Sequence, residues 1–360
     1  MRFYNLVYLP IKPTIAIFQG KNNEFLQLFQ GIFGYYLQLF QLLPVQKVDL
    51  IMDYKIDVVI PWVDGNDPVL KAKRAQYGDS ASLSRADIGG ETRYASLGET
   101  HWCIRSINKF APFVNKIFIV TDGQDPKVES TIPVEIVDHH VIFRNYPEFL
   151  PVFNSTSIET LIWNIPGLSE HFLLMNDDFV LIRDVSPEDF FLKDGKLKCY
   201  CRKKSIGWAE IAYRLSILKY GYPRATFKKM LIKGSISGGC RHSFFHLLHT
   251  PRPLLKSVFE NYYAEHPEKV VENIRHRFRH LDQYQPQALF YGLLDQRKLL
   301  KMDDGSGELL FIQHWKGAGY IQQKLHSAAA RDSYKFVCFN SLDSASKEEQ
   351  ELVKEWIGHL

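Results

Sequence analysis

Four short apolar runs, each closing on an acidic or amide residue, constrain this chain more than any other feature. Ile56 to Val63 ends at Asp64, Lys116 to Val120 at Thr121-Asp122, and Val134 to Val137 at Asp138. The fourth, His171 to Leu174, continues through Met175 into Asn176-Asp177-Asp178-Phe179. Apolar runs of this length bounded by turn residues read as buried strands. Helical spacing separates several of them. Leu97 to Phe110 offers Trp102, Ile104, Ile107 and Phe110 for burial. A second helix is expected to open at Asn154, with Thr156 and Glu159 at capping-box spacing, and to end near Asn164 to Gly167. The alternation predicts an α/β fold: a Rossmann-like, mostly parallel sheet flanked by helices. Asp64, Asp122, Asp138 and Asp178 then lie along one rim, where open α/β sheets bind ligands.

Two adjacent carboxylates at a strand end are costly unless a cation or basic groups neutralise them. Asn176-Asp177-Asp178 is therefore the expected place for a divalent metal and a phosphate. Asp64, after its own strand, is a second candidate.

Composition narrows the classes. With 44 basic and 40 acidic residues in 360, the formal charge of +4 is too small to imply nucleic acid. Basic residues do cluster, at Arg202-Lys203-Lys204, at Lys228-Lys229 and from Arg275 to Arg279. Five cysteines do not form an even disulfide framework and read as reduced structural thiols; Cys199 and Cys201 lack further ligands at zinc spacing. No classical signal peptide is visible, which points to the cytoplasm, where nucleotide sugars are made. Residues 1–53 differ in texture and are expected to form an N-terminal helical extension. Within it, Phe25 to Val45 carries no charge, but its glutamines make a poor transmembrane span. It fits equally a helix docked on a membrane surface or a partner and a helix packed on the protein's own core.

The remainder, 54–360, is expected to be one catalytic domain with a helical insertion at about 205–300. Leu197 to Lys204 is expected as a strand, and helices over Leu254 to Ala264, Pro267 to Arg279 and Pro286 to Leu300. Phe336 to Asn340 reads as a late strand and Lys347 to Ile357 as a terminal helix. A Gly-rich loop is expected at Ser80 to Glu91. His249 precedes a helix in this reading; taken alone it reads first as a structural histidine, although an ordinary imidazole pKa also suits general-base work near neutrality. The i, i+3 spacing of Arg279 and Asp282 fits one helix face, and by spacing alone it fits an ordinary surface ion pair better. His276 and His280 are at i, i+4, but without a third ligand zinc is discounted.

Taken together, these motifs resemble the Stealth proteins. These are bacterial sugar-phosphate transferases of capsular and exopolysaccharide synthesis, related to the catalytic part of the eukaryotic GlcNAc-1-phosphotransferase. The blocks that carry the likeness are Ile56 to Gly65, then Arg93 and Glu99 through Ile104-Arg105-Ser106-Ile107, Lys116 to Asp122, Leu150 to Ser155 and Ile158-Glu159 to Asn176-Asp177-Asp178-Phe179. His249, Arg279 and Asp282 form a third block, and Phe336 to Asn340 a fourth. Ser341 stands where the family usually has Asp, and Gln283 where a second acidic residue often follows Asp282. Residues 1–53 are not covered.

The resemblance implies a GT-A-like sheet and transfer of a sugar-1-phosphate from a nucleotide diphosphate sugar, most readily UDP-linked, to a glycan hydroxyl, with release of NMP. It implies Mg²⁺ or Mn²⁺ held by Asp177, Asp178 and Asn340, with His249 as base. Asp64 and Asp178 are implied in catalysis, and Arg93, Arg105, Asn154, Arg279 and Asp282 in binding phosphate or substrate. The inner face of the cell membrane is the expected place of work, with peripheral membrane contact open and oligomeric state undetermined. A metal-dependent glycosyltransferase releasing NDP, and a non-catalytic polysaccharide assembly protein, are the competing readings.

Overall fold

The central strand of the main sheet, β1 (Ile56–Pro61), is buried almost throughout, with Val58, Val59 and Ile60 fully enclosed. That is the signature of a parallel strand covered on both faces. In this computed structural model, which describes residues 54–78, 84, 85, 88 and 97–360, β1 pairs in parallel with β2 (Val114–Thr121) and with β4 (His171–Leu174). β3 (Val134–Asp138) adds to β2, again parallel. The one polar residue inside β1, Asp57, is satisfied: it accepts from Asn115 Nδ2 and from the Ser169 backbone N–H, each at 2.7 Å. Residues 1–53, with the Phe25–Val45 segment, lie outside the described residues, as do Arg93 and most of the Ser80–Glu91 loop.

Beyond β4 the chain forms β5 (Phe179–Leu181), β6 (Leu197–Ser205), β7 (Ser243–Leu247) and β8 (Arg252–Leu255). Three more strands follow, β9 (Leu300–Asp303), β10 (Leu309–Gln313) and β11 (Phe336–Asn340). The main sheet runs β3-β2-β1-β4-β8, a second β10-β11-β5 and a third β7-β6-β9. β8 is antiparallel to β4. The second sheet packs Val180, Leu310, Ile312, Val337 and Phe339 with Ile321, Leu325, Val353 and Ile357, which lie on helices Ala318–Ala330 and Lys347–Gly358.

Several expected boundaries move. Leu254 begins no helix, because Arg252–Leu255 completes the sheet edge and the helix starts at Lys256. His249 therefore precedes a strand. The helix from Pro267 stops at Ile274, so Arg279 and Asp282 sit on a loop and share no helix face. The helix from Pro286 stops at Gln296, and Leu300 belongs to β9. The stretch 205–300 is not purely helical, since it contributes β7 and β8. The helix at Ser155–Leu161 is capped by Asn154, whose side chain accepts from the Ser157 N–H at 3.0 Å; Thr156 lies within the helix, so no Thr156–Glu159 box forms. Helices Phe227–Ser237 and Pro286–Gln296 approach closely through glycine: a Cβ on Gly292 would lie 2.7 Å from Gly238 Cα.

Candidate active site

The parallel strands place their carboxyl ends on one rim, and the end of β11 faces them. Between them opens a cleft of about 320 Å³. Trp62 and Val63 follow β1, Asp122 follows β2, His139 follows β3, and Asn176, Asp177 and Asp178 follow β4. Asn154, Arg279, Asn340 and Ser341 complete the wall on which the sequence reading converged.

The electrostatics centre on the two aspartates. Burial pushes the Asp177 carboxyl up to about 8, reinforced by the charges of Asp178 and Glu99. Burial also raises Asp178, to about 6; a hydrogen bond from the Cys338 thiol (3.3 Å) and the nearby Arg252 charge restrain the shift. Asp178 Oδ1 is buried with no hydrogen-bond partner. Among the described residues, no lysine or arginine forms an ion pair with either aspartate. A buried orphan oxygen within a cluster of carboxylates fits a hard divalent cation, which takes oxygen donors. Asp177, Asp178, Asn340 and Glu99 all present oxygen to the same cleft.

Asn154 is placed by a buried amide network. Its Nδ2 donates to the carbonyls of His276 (2.7 Å) and Arg277 (3.2 Å). Gln283 Nε2 donates to Asn154 Oδ1 and to Ser157 Oγ, both at 3.1 Å, and to the Asn273 carbonyl at 2.9 Å. Gln283 is fully buried and does not line the cleft, so this position is a latch holding the 275–283 loop against the Asn154 cap. That loop carries Arg279.

Four sequence candidates fall elsewhere. Arg105 is exposed and its guanidinium donates to the Ile357 carbonyl; Cys103 and Ile104 take the inward face of its helix, leaving Arg105 pointed at the C-terminal helix. Asp282 is half exposed and sits with Arg275 (3.4 Å) and Lys233 (3.9 Å), a surface ion cluster. The fold does give His276 and His280 the third donor that spacing alone withheld, since Asp282 lies within ligand reach of both; Arg275 Nε, however, already donates to His276 Nε2 at 3.2 Å. Asp64 closes the turn after β1: its Oδ1 accepts from Asn66 N–H at 2.8 Å and its own N–H donates to Gln124 Oε1 at 2.8 Å. It adjoins the cleft wall without lining it.

His249 is the fourth. Its ring stacks on Phe311 (4.7 Å) and meets Phe179 edge-on (6.1 Å), behind Asp178 and outside the cleft lining. A ligand atom of His249 lies within 4.8 Å of Asp178 and of Cys338. Burial, then the Arg252 and His246 charges, push the imidazole down to about 4.

Residues missed as site members are Glu99, Asp122, His139 and Glu159, all on the cleft. Asp122 was legible as a strand-end residue, and His139 directly follows another, Asp138. Glu159 was hidden by its place in a helix, where its Oε2 accepts from Gln285 (2.5 Å) and Gln287 (2.9 Å). All five cysteines are free and buried, as expected.

Comparison with known sequences follows the same blocks. The family model described as Stealth protein CR2, conserved region 2, matches residues 93–199, and Stealth protein CR1, conserved region 1, matches residues 54–82. The capsular polysaccharide phosphotransferase WcwK of Streptococcus pneumoniae is 45% identical over 144 residues, 39% of this chain and 42% of that protein. The capsular polysaccharide phosphotransferase LcbA of Neisseria meningitidis is 32% identical over 256 residues, 66% of this chain and 64% of that protein. The chain thus spans less than two thirds of the length of these relatives. Among solved structures, the galactosyltransferase LgtC with donor and acceptor sugar analogues superposes with a TM-score of 0.41 at 10% identity, over 84% of this chain and 96% of that one.

Proposed function

We propose that this chain, which belongs to the Stealth family, transfers a sugar-1-phosphate from a nucleotide diphosphate sugar to a glycan hydroxyl. The observation that carries the reading is the cleft itself, lined by Asp177, by Asp178 with its orphaned oxygen, and by Arg279, at the carboxyl rim of a parallel sheet.

Asp177 and Asp178, with Asn340 beside them, would hold Mg²⁺ or Mn²⁺. When bound, that ion supplies charge neutralisation for the diphosphate and for the departing phosphate. Arg279, on the same cleft, would neutralise phosphate oxygens, whose geometry a planar guanidinium suits. Asn154 and Gln283 act through Arg279, by fixing the loop that bears it. The acceptor oxygen attacks the phosphorus attached to the sugar, the bond to the NMP oxygen breaks, and the sugar's anomeric C–O bond is retained. The acceptor's proton leaves to water in the open cleft, because His249, behind Asp178 and outside the cleft lining, does not reach the acceptor. Capsular or exopolysaccharide synthesis at the inner face of a bacterial membrane is the setting that suits this donor and acceptor.

The test is the leaving group. A panel of UDP- and other NDP-sugars is incubated with Mg²⁺ or Mn²⁺ and candidate glycans. NMP release together with a phosphodiester ³¹P signal in the product supports the reading; NDP release sinks it.

A further inference from the structure

The helix Ile206–Tyr220 presents apolar side chains to solvent instead of to the core. Trp208 is 76% exposed, Ile211 52%, Leu215 61% and Leu218 80%. Among the described residues, six of the twelve exposed large hydrophobics fall between Trp208 and Tyr222. At 3.6 residues per turn, Trp208, Ile211, Leu215 and Leu218 form one stripe. The opposite side carries Ile206, Ala209 and Tyr213, of which Ala209 is the helix's buried residue. Isolated exposed apolar residues need no explanation, but a contiguous stripe of this size marks an interaction surface.

The charge around the stripe identifies its partner. Residues 202–229 hold eight lysines and arginines and one acid, Glu210, so this stretch carries +7 in a chain of formal charge +4. The rest of the chain is therefore −3. Arg214 and Lys219 flank the stripe on either side of the helix, both exposed. From neighbouring elements, Asp295 pairs with Lys203 at 2.8 Å, while Glu210 takes both Lys229 (2.7 Å) and Arg214 (3.6 Å). Lys204, Lys219, Arg224 and Lys228 have no acidic partner in any ion pair among the described residues. Two copies of such a face would repel each other. An apolar stripe with an aromatic residue and a basic rim matches the boundary layer of an anionic bilayer, where Trp sits at headgroup depth and each nearby Lys or Arg adds attraction. No described helix is long and apolar enough to cross a membrane.

We propose that the Ile206–Tyr220 helix is a peripheral docking surface for an anionic lipid bilayer. It lies flat, with Trp208, Ile211, Leu215 and Leu218 in the acyl boundary and the basic rim on the headgroups. The proposal gives residues to the membrane setting suggested above, and its test requires no turnover, so either reading can fail without the other.

The full chain is floated with phosphatidylcholine vesicles, with and without phosphatidylglycerol, at low and high salt. Binding is expected to the anionic vesicles alone and to weaken with salt. The double substitution Trp208→Ser/Leu218→Ser alters two side chains that are largely in water, and it is expected to weaken binding at least about tenfold. Lys204→Glu/Lys219→Glu is expected to lower binding to anionic vesicles only. Absence of binding, equal binding to neutral vesicles, or binding untouched by both variants overturns the proposal; the last outcome assigns the contact to another segment. Dissociation of a lipid-free dimer by Trp208→Ser/Leu218→Ser, with lipid binding unchanged, also overturns it and gives the stripe to a second copy.

Discussion

Replacing Asp177 with Asn should stabilise the metal-free protein, and more so as pH rises. The folded carboxyl titrates at about 8, whereas an unfolded aspartate titrates near 4. Between those values the folded chain holds a proton that the unfolded chain has released. Stability of the wild type therefore falls as pH climbs from about 4 to 8. At about 1.36 kcal/mol per unit, the interval from pH 5 to pH 8 is worth at most about 4 kcal/mol. Water in the open cleft reaches part of this carboxyl, which brings the expected value to roughly 2–4 kcal/mol. The amide side chain removes that slope. In chelator the variant's lead in melting temperature should be small at pH 5 and widen by roughly 4–8 °C by pH 8. Adding Mg²⁺ or Mn²⁺ should raise the wild type and leave the variant nearly unmoved. Histidines and other carboxylates titrate in both proteins and cancel in the difference. An identical gap at pH 5 and pH 8 would refute the reasoning, because it would mean that Asp177 is ionised in both states across the whole range.

Three further outcomes are expected. His249→Gln should leave kcat and the donor KM within about threefold of wild type, because the ring packs on Phe311 and Phe179 outside the cleft; steady-state kinetics check this, and a kcat loss of about 10²–10⁴ would instead put His249 in the proton path. Asn154→Ala removes the helix cap and two donations to the 276–277 carbonyls, at a cost of about 2–3 kcal/mol in urea melts; its donor KM should rise, since the loop bearing Arg279 loses its latch. Gly292→Ala forces a methyl against Gly238 and should cost about 1–3 kcal/mol by thermal denaturation, with kcat/KM of the surviving fraction unchanged.

The parallel half of the fold and the aspartate pair were legible because both are local. A buried parallel strand is a continuous apolar run, and a strand-end carboxylate follows it directly in sequence, so β1 to β4 and Asp177-Asp178 could be read off the chain. Asn154 and Arg279 were named through the family resemblance, and the structure brings both to the cleft. Arg105 carried the same signal but turned the other way, since the direction of a helical side chain depends on which face the helix buries. The strand at Arg252–Leu255 and the place of Gln283 depend on partners far away in sequence, Leu174 for the first and Asn154 for the second. Local propensity does not register such partners. The exposed stripe at Trp208 to Leu218 is the same lesson in reverse: its apolar spacing alone reads as core. By itself, then, the sequence determined the positions of the parallel strands, the rim of acids and the basic clustering. Which carboxylates share one cleft, which basic residues face it and which apolar face is left in water were decided only by tertiary packing, because burial is a property of neighbours brought together by the fold.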